Sequence, residues 1–293
     1  MAAATCPSGA GPRAPARGGT GEDQPMPTTL EVMLKGKRLR VQARTEIERA
    51  FWAPFAQGEA HVGWEDETLD FVAARAARGV VFVDIGAWIG PVSLLAASRG
   101  ARVLALEPDP VARAALEENL ALNGLRAEIV PAALHANGGG LTLFGGRRGL
   151  GGSMTSALGV HRGEPVHVPT VTVEEVADRA GEGAALMKVD IEGHEYSLGP
   201  ELARLRARLG GRPEGAALHL SLHPRLLVKK LRRSWSLFPT RRAFEATRDL
   251  LAGFGDAPVR VSGEDGGRLD EAALRARFER RGGVRNFAVE IGG

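Results

Sequence analysis

Apolar and polar residues follow two different patterns along this chain. Residues 29–44 alternate between apolar and polar around a Gly-Lys pair, which predicts a β-hairpin. Residues 46–56 and 68–78 repeat apolar side chains at helical spacing, so two helices are expected after the hairpin. The N-terminal segment 1–27 holds almost nothing large to bury and is predicted to be disordered.

Beyond residue 79, short apolar runs alternate with helical patterns. The run 80–83 is apolar throughout, as expected for a strand buried on both faces of a parallel sheet. Further strands are predicted at 102–106, 127–134, 141–144 (an edge strand), 186–189, 216–222, 259–261 and 287–291, and helices at 92–98, 110–122 and 173–179. This alternation is typical of an α/β fold with a doubly wound sheet, whose ligands lie at the carboxyl ends of the strands.

These patterns predict a tail over 1–27, a hairpin and helical cap over 28–78, and a Rossmann-like domain over 79–293. No apolar run approaches the ~20 residues that a membrane-spanning helix needs, and the N-terminus lacks the apolar core of a secretion signal. Cys6 is the only cysteine, which is consistent with a reducing, cytoplasmic location. The net charge of +3 is small and spread out, so it favours no class of partner by itself.

A candidate cofactor site follows the first strand of this domain. The sequence Val-Asp-Ile-Gly-Ala-Trp-Ile-Gly covers residues 83–90, between a buried strand and a helix. Gly86 permits a tight turn, Gly90 permits close approach of the next helix, and Ala87 adds only a methyl group, so a ligand could lie against the main chain. Asp84 would repel a pyrophosphate but attract the ammonium group of S-adenosylmethionine.

Glu107 supplies the second part of this candidate site. It ends the next strand, roughly 20 residues after Asp84, which is the spacing at which an acid meets a ribose diol in nucleotide-binding βαβ units. Its carboxylate could accept hydrogen bonds from both ribose hydroxyls. A dinucleotide dehydrogenase uses a similar unit but needs Gly-x-Gly-x-x-Gly, which residues 86–90 do not provide. S-adenosylmethionine is therefore the predicted cofactor.

Candidate catalytic groups follow the fourth strand. Lys188, Asp190 and Glu192 stand close together where this strand ends, beside the expected pocket. Asp190 or Glu192 could take a proton from an acceptor hydroxyl or hold a divalent cation, and Lys188 could orient either carboxylate. A salt-bridged strand end that only shapes the loop is the structural alternative.

The fifth strand adds two histidines on one face, His219 and His223. His223, at the carboxyl end, is the better candidate for a base or a substrate contact, whereas His219 fits a structural role. A metal could be held by four of these groups, namely Asp190, Glu192, His194 and His223. Their spacing matches no strong zinc pattern, so no metal ligand is assigned, and a divalent cation stays open as a second cofactor.

Together these blocks resemble the FkbM family of S-adenosylmethionine-dependent methyltransferases. Residues 84–90, the Glu107-Pro108 pair and residues 188–195 are similar to the family's DIGAN-x-G turn, E-P pair and K-x-D-x-E-G-x-E block. Trp88 stands where asparagine is common in the family, and we expect it to change the wall of the pocket. The resemblance covers roughly residues 63–224.

The resemblance implies a class I methyltransferase fold, Rossmann-like with strand order 3-2-1-4-5-7-6 and a small N-terminal extension. It also implies methylation of an oxygen, often on a sugar or a secondary-metabolite hydroxyl, so the expected acceptor is a small molecule or a glycan. The cofactor contacts implied by matching motifs are, for the methionine portion, Asp84, Gly86 and Gly90, for the ribose Glu107, and for the adenine Pro108 with Ala132 and Ala133.

Two other functions stay open at this point. A nucleic-acid methyltransferase is the second enzyme hypothesis, but residues 190–193 lack the Asn/Asp-Pro-Pro-aromatic pattern of base methylation, so no nucleic-acid partner is expected. Residues 225–242 interleave lysines and arginines with Leu, Trp and Phe, which makes a non-catalytic protein docking on anionic lipid or on a partner the third hypothesis. A solvated helix with an apolar inner face is the structural alternative for this segment. No oligomeric state is predicted.

Overall fold

The computed structural model describes residues 27–58, 65–145, 150–153, 155–160, 163–210, 215–263, 266–279 and 284–292. The tail predicted over 1–27 lies outside these residues except for its last position. The chain begins with a hairpin, β1 (Thr28–Leu34) and β2 (Lys37–Ala43), and two helices, α1 (Glu46–Ala56) and α2 (Asp66–Arg75). The elements that follow are β3 (Val81–Ile85), α3 (Pro91–Ser98), β4 (Arg102–Leu106), α4 (Pro110–Leu122), β5 (Ala127–Val130), β6 (Ala133–Leu134), β7 (Leu141–Phe144), β8 (Pro165–Val168), β9 (Thr170–Val171), α5 (Val173–Ala180), β10 (Ala185–Val189), a 3-10 helix (His194–Ser197), α6 (Gly199–Arg208), β11 (Ala217–Leu222), α7 (Pro224–Arg233), α8 (Pro239–Ala252), β12 (Val259–Gly263), α9 (Glu271–Glu279) and β13 (Phe287–Ile291).

Seven of these strands form the central sheet, in the order β5-β4-β3-β10-β11-β13-β12. Numbered along the chain, these strands have the order 3-2-1-4-5-7-6, so the predicted doubly wound α/β fold is confirmed. Neighbouring strands from β5 to β11 are parallel, and β13 is antiparallel to both of its neighbours. The carboxyl ends of β3, β4 and β10 therefore meet at one edge of the sheet, where ligands of this fold bind.

The central strands are buried because other elements cover both faces of the sheet. All residues of β3 and β10 are buried. Val83 packs into a core shared with α5, α6 and α8, whereas Phe82 points into a second core on the opposite face. The hairpin and first helices belong to that second core through Trp52, Phe55 and Val72, so the predicted N-terminal cap packs directly on the sheet.

The helix after β4 begins where the sequence supplies a capping residue. The Asp109 side chain accepts hydrogen bonds from the main-chain N–H groups of Val111 and Ala112, and Pro110 occupies the first helical position. These are the residue types that favour a helix N-terminus. The cap fixes α4 directly beside the end of β4, which carries the candidate ribose ligand.

Three predicted elements differ from the structure. The strand predicted over 127–134 stops at Val130, and β6 pairs with β9 outside the main sheet. The segment 141–144 is not an edge strand of the main sheet, because it pairs with β8 in a separate two-stranded sheet. The helix predicted over 68–78 begins at Asp66 and ends at Arg75. Both strand errors concern pairing between distant segments, which a local apolar pattern does not specify.

Two glycines after β3 are required by close packing. At Gly86, where φ is +81°, a Cβ atom would overlap the carbonyl oxygen of Asp190. At Gly90, a Cβ atom would overlap the side chain of Leu116 on α4. Gly86 therefore lets the end of β10 approach the turn. Gly90 lets α4 pack closely against the turn, in addition to the close approach of α3 that the sequence predicts.

We predict that Gly86→Ala destabilises the protein far more than Gly36→Ala. Both glycines have nearly the same positive φ, but a Cβ atom at Gly36 would meet nothing within 4 Å. The conformational cost of about 1 kcal/mol is common to both variants, and the overlap at Gly86 should add about 2 kcal/mol. Equilibrium urea unfolding measures both. Equal losses in the two variants would show that the overlap is relieved at no cost and that the turn does not constrain β10.

Candidate active site

A cavity opens at the carboxyl ends of β3, β4 and β10. Its volume is about 660 Å³, counting the space at its mouth, and this is within the usual size of a small-molecule site. Apolar side chains of Leu106, Ala112, Leu141 and Leu143 form much of its wall. Of the residues predicted from the sequence, those that line it are Gly86, Trp88, Glu107, Pro108, Ala132, Ala133, Asp190, Glu192 and His194.

Glu107 reaches the cavity from the end of β4. Its Oε2 accepts a hydrogen bond from the N–H of Trp88 (2.7 Å) and its Oε1 accepts one from the N–H of Asp109 (2.8 Å). Burial raises the pKa of Glu107 to about 7, although these two N–H groups oppose the shift. Each carboxylate oxygen can accept a further hydrogen bond, so Glu107 is able to bind two hydroxyl donors of a ligand.

A glycine-rich segment, residues 150–153, forms one side of the cavity. The Oδ2 of Asp109 accepts hydrogen bonds from the N–H of Gly151 (2.6 Å) and the hydroxyl of Thr155 (3.1 Å). The indole Nε1 of Trp88 donates to the carbonyl of Gly151 at 2.9 Å. Trp88 lines the cavity, as expected, in the left-handed conformation (φ +50°) that asparagine tolerates better. Tryptophan at this position adopts a less favourable backbone conformation, but its side chain forms part of the cavity wall and makes a hydrogen bond.

Asp84 does not face the cavity. Its side chain is fully buried, with Oδ2 accepting from the hydroxyl of Ser93 (2.6 Å) and Oδ1 lying 3.2 Å from the Nζ of Lys188. Lys188 also donates to the carbonyl of Gly86 at 2.6 Å. Burial by itself lowers the pKa of Lys188, but the surrounding carboxylates, Asp84 first, outweigh it and hold this pKa above its usual range. Asp84 thus supports the turn through Lys188, on the side away from the cavity. Its expected contact with the ammonium group of the cofactor stays a prediction.

Two other predicted cofactor residues also stand behind the wall. Ala87 is buried and Gly90 packs on Leu116, and neither lines the cavity. Pro108 and Ala133 do line it, on the side where the adenine is expected. The cofactor roles of all four remain predictions.

Asp190 also lines the cavity and interacts with two neighbouring acids, Glu65 and Glu192. Burial alone would raise the pKa of Asp190, but the positive charges of Lys188 and His223 outweigh it and lower this pKa. Burial, together with the charge of Asp190, raises the pKa of Glu65 to about 8. Glu65 therefore keeps its proton at neutral pH and can donate it in a hydrogen bond to Asp190.

Glu192 lines the cavity beside Asp190. It has a positive φ of +52°, and its main-chain carbonyl accepts a hydrogen bond from the hydroxyl of Ser156 at 2.6 Å. Burial, assisted by the charges of neighbouring acids, raises the pKa of its carboxyl to about 7, while His223 acts against this shift. Its Oε1 lies 3.9 Å from the Nε2 of His223. Glu192 is thus a carboxyl group that changes charge near neutral pH at the surface of the cavity.

His223 is anchored by the fully buried Glu195. The Oε1 of Glu195 accepts from the main-chain N–H of His223 (2.8 Å) and lies 3.0 Å from its Nδ1, and the Oε2 accepts from the N–H of Gly193 (2.8 Å). The Nε2 of His223 lies 3.5 Å from the Oδ1 of Asp190. Burial lowers the pKa of His223, but the three carboxylates, led by Glu195, outweigh it and raise this pKa to about 10. At neutral pH His223 is a cation, which suits charge stabilisation better than removal of a proton.

The other two histidines of this region are neutral. Burial lowers the pKa of His219 to about 4, and its Nε2 shares a hydrogen bond with the hydroxyl of Thr68 at 2.8 Å. This fits the structural role predicted for His219. Burial also lowers the pKa of His194 to about 4, and its ring stacks on that of His135 at 5.7 Å.

One group of three side chains in the described part of the chain could hold a metal ion. Ligand atoms of Asp190, Glu192 and His223 lie within 4.8 Å of one another, and His194 is not part of this group. A metal needs a neutral imidazole, so an ion at this place would have to displace the proton of His223. The divalent cation therefore stays a prediction, with these three residues as its candidate ligands.

Two acids of the site were missed in the sequence. Glu195 belongs to the K-x-D-x-E-G-x-E block, but no pattern indicates that it anchors an imidazole 28 positions later. Glu65 lies outside every motif and approaches Asp190 only because the cap packs on the sheet. The strongest available signal was the placement of Glu65 immediately before a helix, which also fits an ordinary N-terminal acid.

The arrangement fits the predicted cofactor in its chemistry. Glu107 can accept from a diol, the apolar wall beside Pro108 can cover a purine, and the acids around Asp190 favour a positively charged group. Of these, the position of Glu107 is the most specific, because both of its oxygens are fixed by main-chain N–H groups at the cavity surface.

One family model and several solved structures are similar to this chain. Residues 84–198 match the family model of the methyltransferase FkbM domain. No curated protein sequence matches the chain. A SAM-dependent methyltransferase structure from Agrobacterium tumefaciens is 12% identical, with 92% of this chain and 72% of that chain covered and a TM-score of 0.45. An O-methyltransferase from Bacillus cereus in complex with SAH is 12% identical (84% and 90% covered, TM-score 0.43). An rRNA methylase from Streptococcus thermophilus is also 12% identical (76% and 92% covered, TM-score 0.42).

The matched segment contains the turn after β3, Glu107 and the block that carries Asp190, Glu192 and Glu195. These are the parts of the chain that surround the cavity. Residues 84–198 therefore match a methyltransferase FkbM domain, and this match supports an S-adenosylmethionine-dependent methyltransferase.

Proposed function

We propose that this methyltransferase acts on a hydroxyl oxygen of a small-molecule or glycan acceptor, with Glu192 as the general base. The observation that carries the proposal is the position of Glu192 on the cavity surface with a pKa of about 7. A hydroxyl is a weak nucleophile until it loses its proton, and a base works best when its pKa lies near the working pH.

The surrounding groups have separate tasks in this proposal. S-adenosylmethionine supplies an electrophilic methyl group when it is bound. Glu192 takes the hydroxyl proton on Oε1, and the imidazolium of His223, 3.9 Å away, stabilises the carboxylate before that transfer. Asp190 holds His223 in its charged form, and Lys188 holds the strand ends behind them. Most of the rate would come from alignment of the acceptor by the cavity wall.

We predict that Glu192→Gln lowers turnover by about 10²–10⁴ and removes its dependence on pH, because the amide cannot accept the proton. In the wild-type enzyme, turnover should rise with pH up to about 7, as Glu192 loses its proton. Methyl transfer from labelled cofactor to a panel of hydroxylated acceptors measures this, and calorimetry with S-adenosylhomocysteine verifies that cofactor binding is retained.

Glu182→Gln is the matched control, because Glu182 is exposed and lies outside the cavity. It should leave both the rate and the pH profile unchanged. A Glu192→Gln enzyme with normal turnover and the wild-type pH profile would remove Glu192 from the chemistry. Asp190→Asn should also lower turnover with the cofactor still bound, because it weakens the charge that holds His223 protonated.

A second prediction concerns Glu107 and the ribose. Hydroxyl donors favour the ionised carboxylate, so binding of S-adenosylhomocysteine below pH 7 should release a proton and weaken by up to about tenfold per pH unit. Calorimetry in buffers of different ionisation enthalpy measures the released proton. Glu107→Gln should bind more weakly and release none.

Glu117→Gln, on the exposed face of α4, controls for a change of charge near the site. It should bind and release protons as the wild type does. Proton release that persists in Glu107→Gln would assign the titration to another acid and would leave the ribose without the partner proposed for it.

A divalent cation on Asp190, Glu192 and His223 is the competing way to activate the hydroxyl. We expect turnover to survive dialysis against EDTA, because His223 already provides a positive charge at that place. Loss of turnover with EDTA and its return with Mg²⁺ or Mn²⁺ would replace the carboxylate base by metal activation.

A further inference from the structure

The turn between α7 and α8 exposes three large apolar side chains within four positions. Trp235 is 93% exposed, Leu237 77% and Phe238 71%. Among the described residues, the one other large apolar residue that is exposed is Val111, at only 47%. We call the segment 225–242 the α7–α8 tip. A soluble protein rarely places a cluster of such side chains in water without a partner for them.

The same segment is strongly basic. No acidic residue occurs between His223 and Glu245, whereas the exposed cations of the tip are Arg225, Lys229, Lys230, Arg232, Arg233, Arg241 and Arg242. Arg241 pairs with Glu245, and the others have no acidic partner within the segment itself. Cations therefore surround the apolar side chains on both flanking helices.

The exposure of these three side chains does not result from loose packing of the two helices that flank them. The inner faces of the two helices are buried through Leu226 and Val228 on α7 and Ala243 and Phe244 on α8. Arg233 also anchors α7 through a 2.8 Å hydrogen bond to the carbonyl of Gly159. The helices are thus held firmly to the protein, and the apolar residues between them project outward.

The backbone of the tip is held in an unfavourable conformation. Trp235 and Phe238 have φ values of +54° and +55°, in the left-handed region that bulky side chains rarely adopt. Glycine would make the same turn without that cost, and the chain has 39 glycines. Retaining two large aromatic residues here, without burying them, indicates that their side chains have a task outside the folded chain.

We propose that the α7–α8 tip docks on the surface of an anionic lipid bilayer. Trp235, Leu237 and Phe238 would enter the boundary between head groups and acyl chains, while the flanking cations contact the anionic head groups. Nucleic acid also attracts cations, but it binds flat aromatic side chains by stacking and offers no favourable place for Leu237. Among the described residues, no helix has the length and apolar character needed to cross a membrane.

Docking through the tip would bring the bilayer surface close to the active site. The α7 helix is capped by His223 at the site and ends at Arg233 beside the tip. Ten helical residues span about 15 Å. A docked enzyme would therefore hold its catalytic cluster one short helix away from the membrane surface.

Co-sedimentation of the full-length protein with vesicles tests this proposal. Vesicles of phosphatidylcholine with phosphatidylglycerol should bind the protein, and phosphatidylcholine alone should bind it much less. The emission of Trp235 should shift to the blue with the anionic vesicles, because Trp235 is exposed in water whereas Trp52 is already buried. A Trp235→Phe variant identifies this signal.

Two sets of substitutions separate the charges from the apolar side chains. Lys229→Gln with Lys230→Gln and Arg232→Gln should weaken partitioning roughly 100-fold, from about fivefold for each cation. Trp235→Ser with Leu237→Ser and Phe238→Ser should leave only weak binding that salt abolishes. The matched control removes three exposed arginines far from the tip, Arg38→Gln, Arg126→Gln and Arg208→Gln, and should bind as the wild type does.

Several outcomes would overturn the proposal. Binding that does not distinguish anionic from neutral vesicles, or equal loss in the tip and control charge variants, would show that the tip is not the docking site. Retention of RNA that depends on the cations but not on the three apolar residues would assign the tip to nucleic acid. A dimer that dissociates with the apolar variant, without vesicle binding, would assign it to a second copy of the chain. None of these measurements depends on turnover, so they stand apart from the test of Glu192.

Discussion

The buried ion pair between Lys188 and Asp84 holds together the two strands that carry the site. The two residues are register partners on β10 and β3, and their charged atoms lie 3.2 Å apart with both side chains almost completely buried. Removing either partner would leave an unpaired charge in the interior, which costs about 3–5 kcal/mol. Lys188 also binds the carbonyl of Gly86, where the absence of a side chain lets Asp190 approach. The wall that carries the proposed base therefore takes its position from a buried ion pair behind the cavity.

This arrangement also decides which acids of the wall are charged. Asp190 lies between two cations and ionises readily, whereas Glu65 and Glu192 keep their protons until the pH reaches about 8 and about 7. Because burial raises the pKa of Glu65 and of Glu192 above the ordinary glutamate pKa, their contribution to stability is complete at acidic pH and is lost as pH rises through the raised pKa values. Near neutral pH the protein without cofactor has therefore lost part of the stability that these two protonated acids contribute. A positively charged sulfonium at this wall would favour the ionised forms of these acids and would offset that loss.

The sequence predicted the sheet well because its signals are local, and the site less well because its contacts are not. The apolar runs at β3 and β10 and the motif residue Glu107 were placed correctly, since strand order and cavity edge follow from the fold. Asp84 also pairs with Lys188, a contact that neither motif indicates, and its predicted contact with the cofactor stays a prediction. Glu195 was part of a motif without a role, because its partner is 28 positions away in the chain. Charge state was also out of reach, since it depends on burial and on neighbours from several elements.

The cavity and the α7–α8 tip both contain large residues in a strained backbone conformation. The non-glycine residues with positive φ in the described chain are Lys35 in the hairpin turn, Glu65, Trp88 and Glu192 around the cavity, and Trp235 and Phe238 at the tip. Glycine could occupy each of these positions at lower conformational cost, so the side chain itself must be needed. Around the cavity each side chain has such a contact, because Trp88 and Glu192 line the wall and Glu65 hydrogen-bonds to Asp190. At the tip the two aromatic side chains are largely exposed, Trp235 at 93% and Phe238 at 71%. The strain at Trp235 and Phe238 therefore supports a role for their side chains outside the folded chain, and the cations around them favour a negatively charged surface.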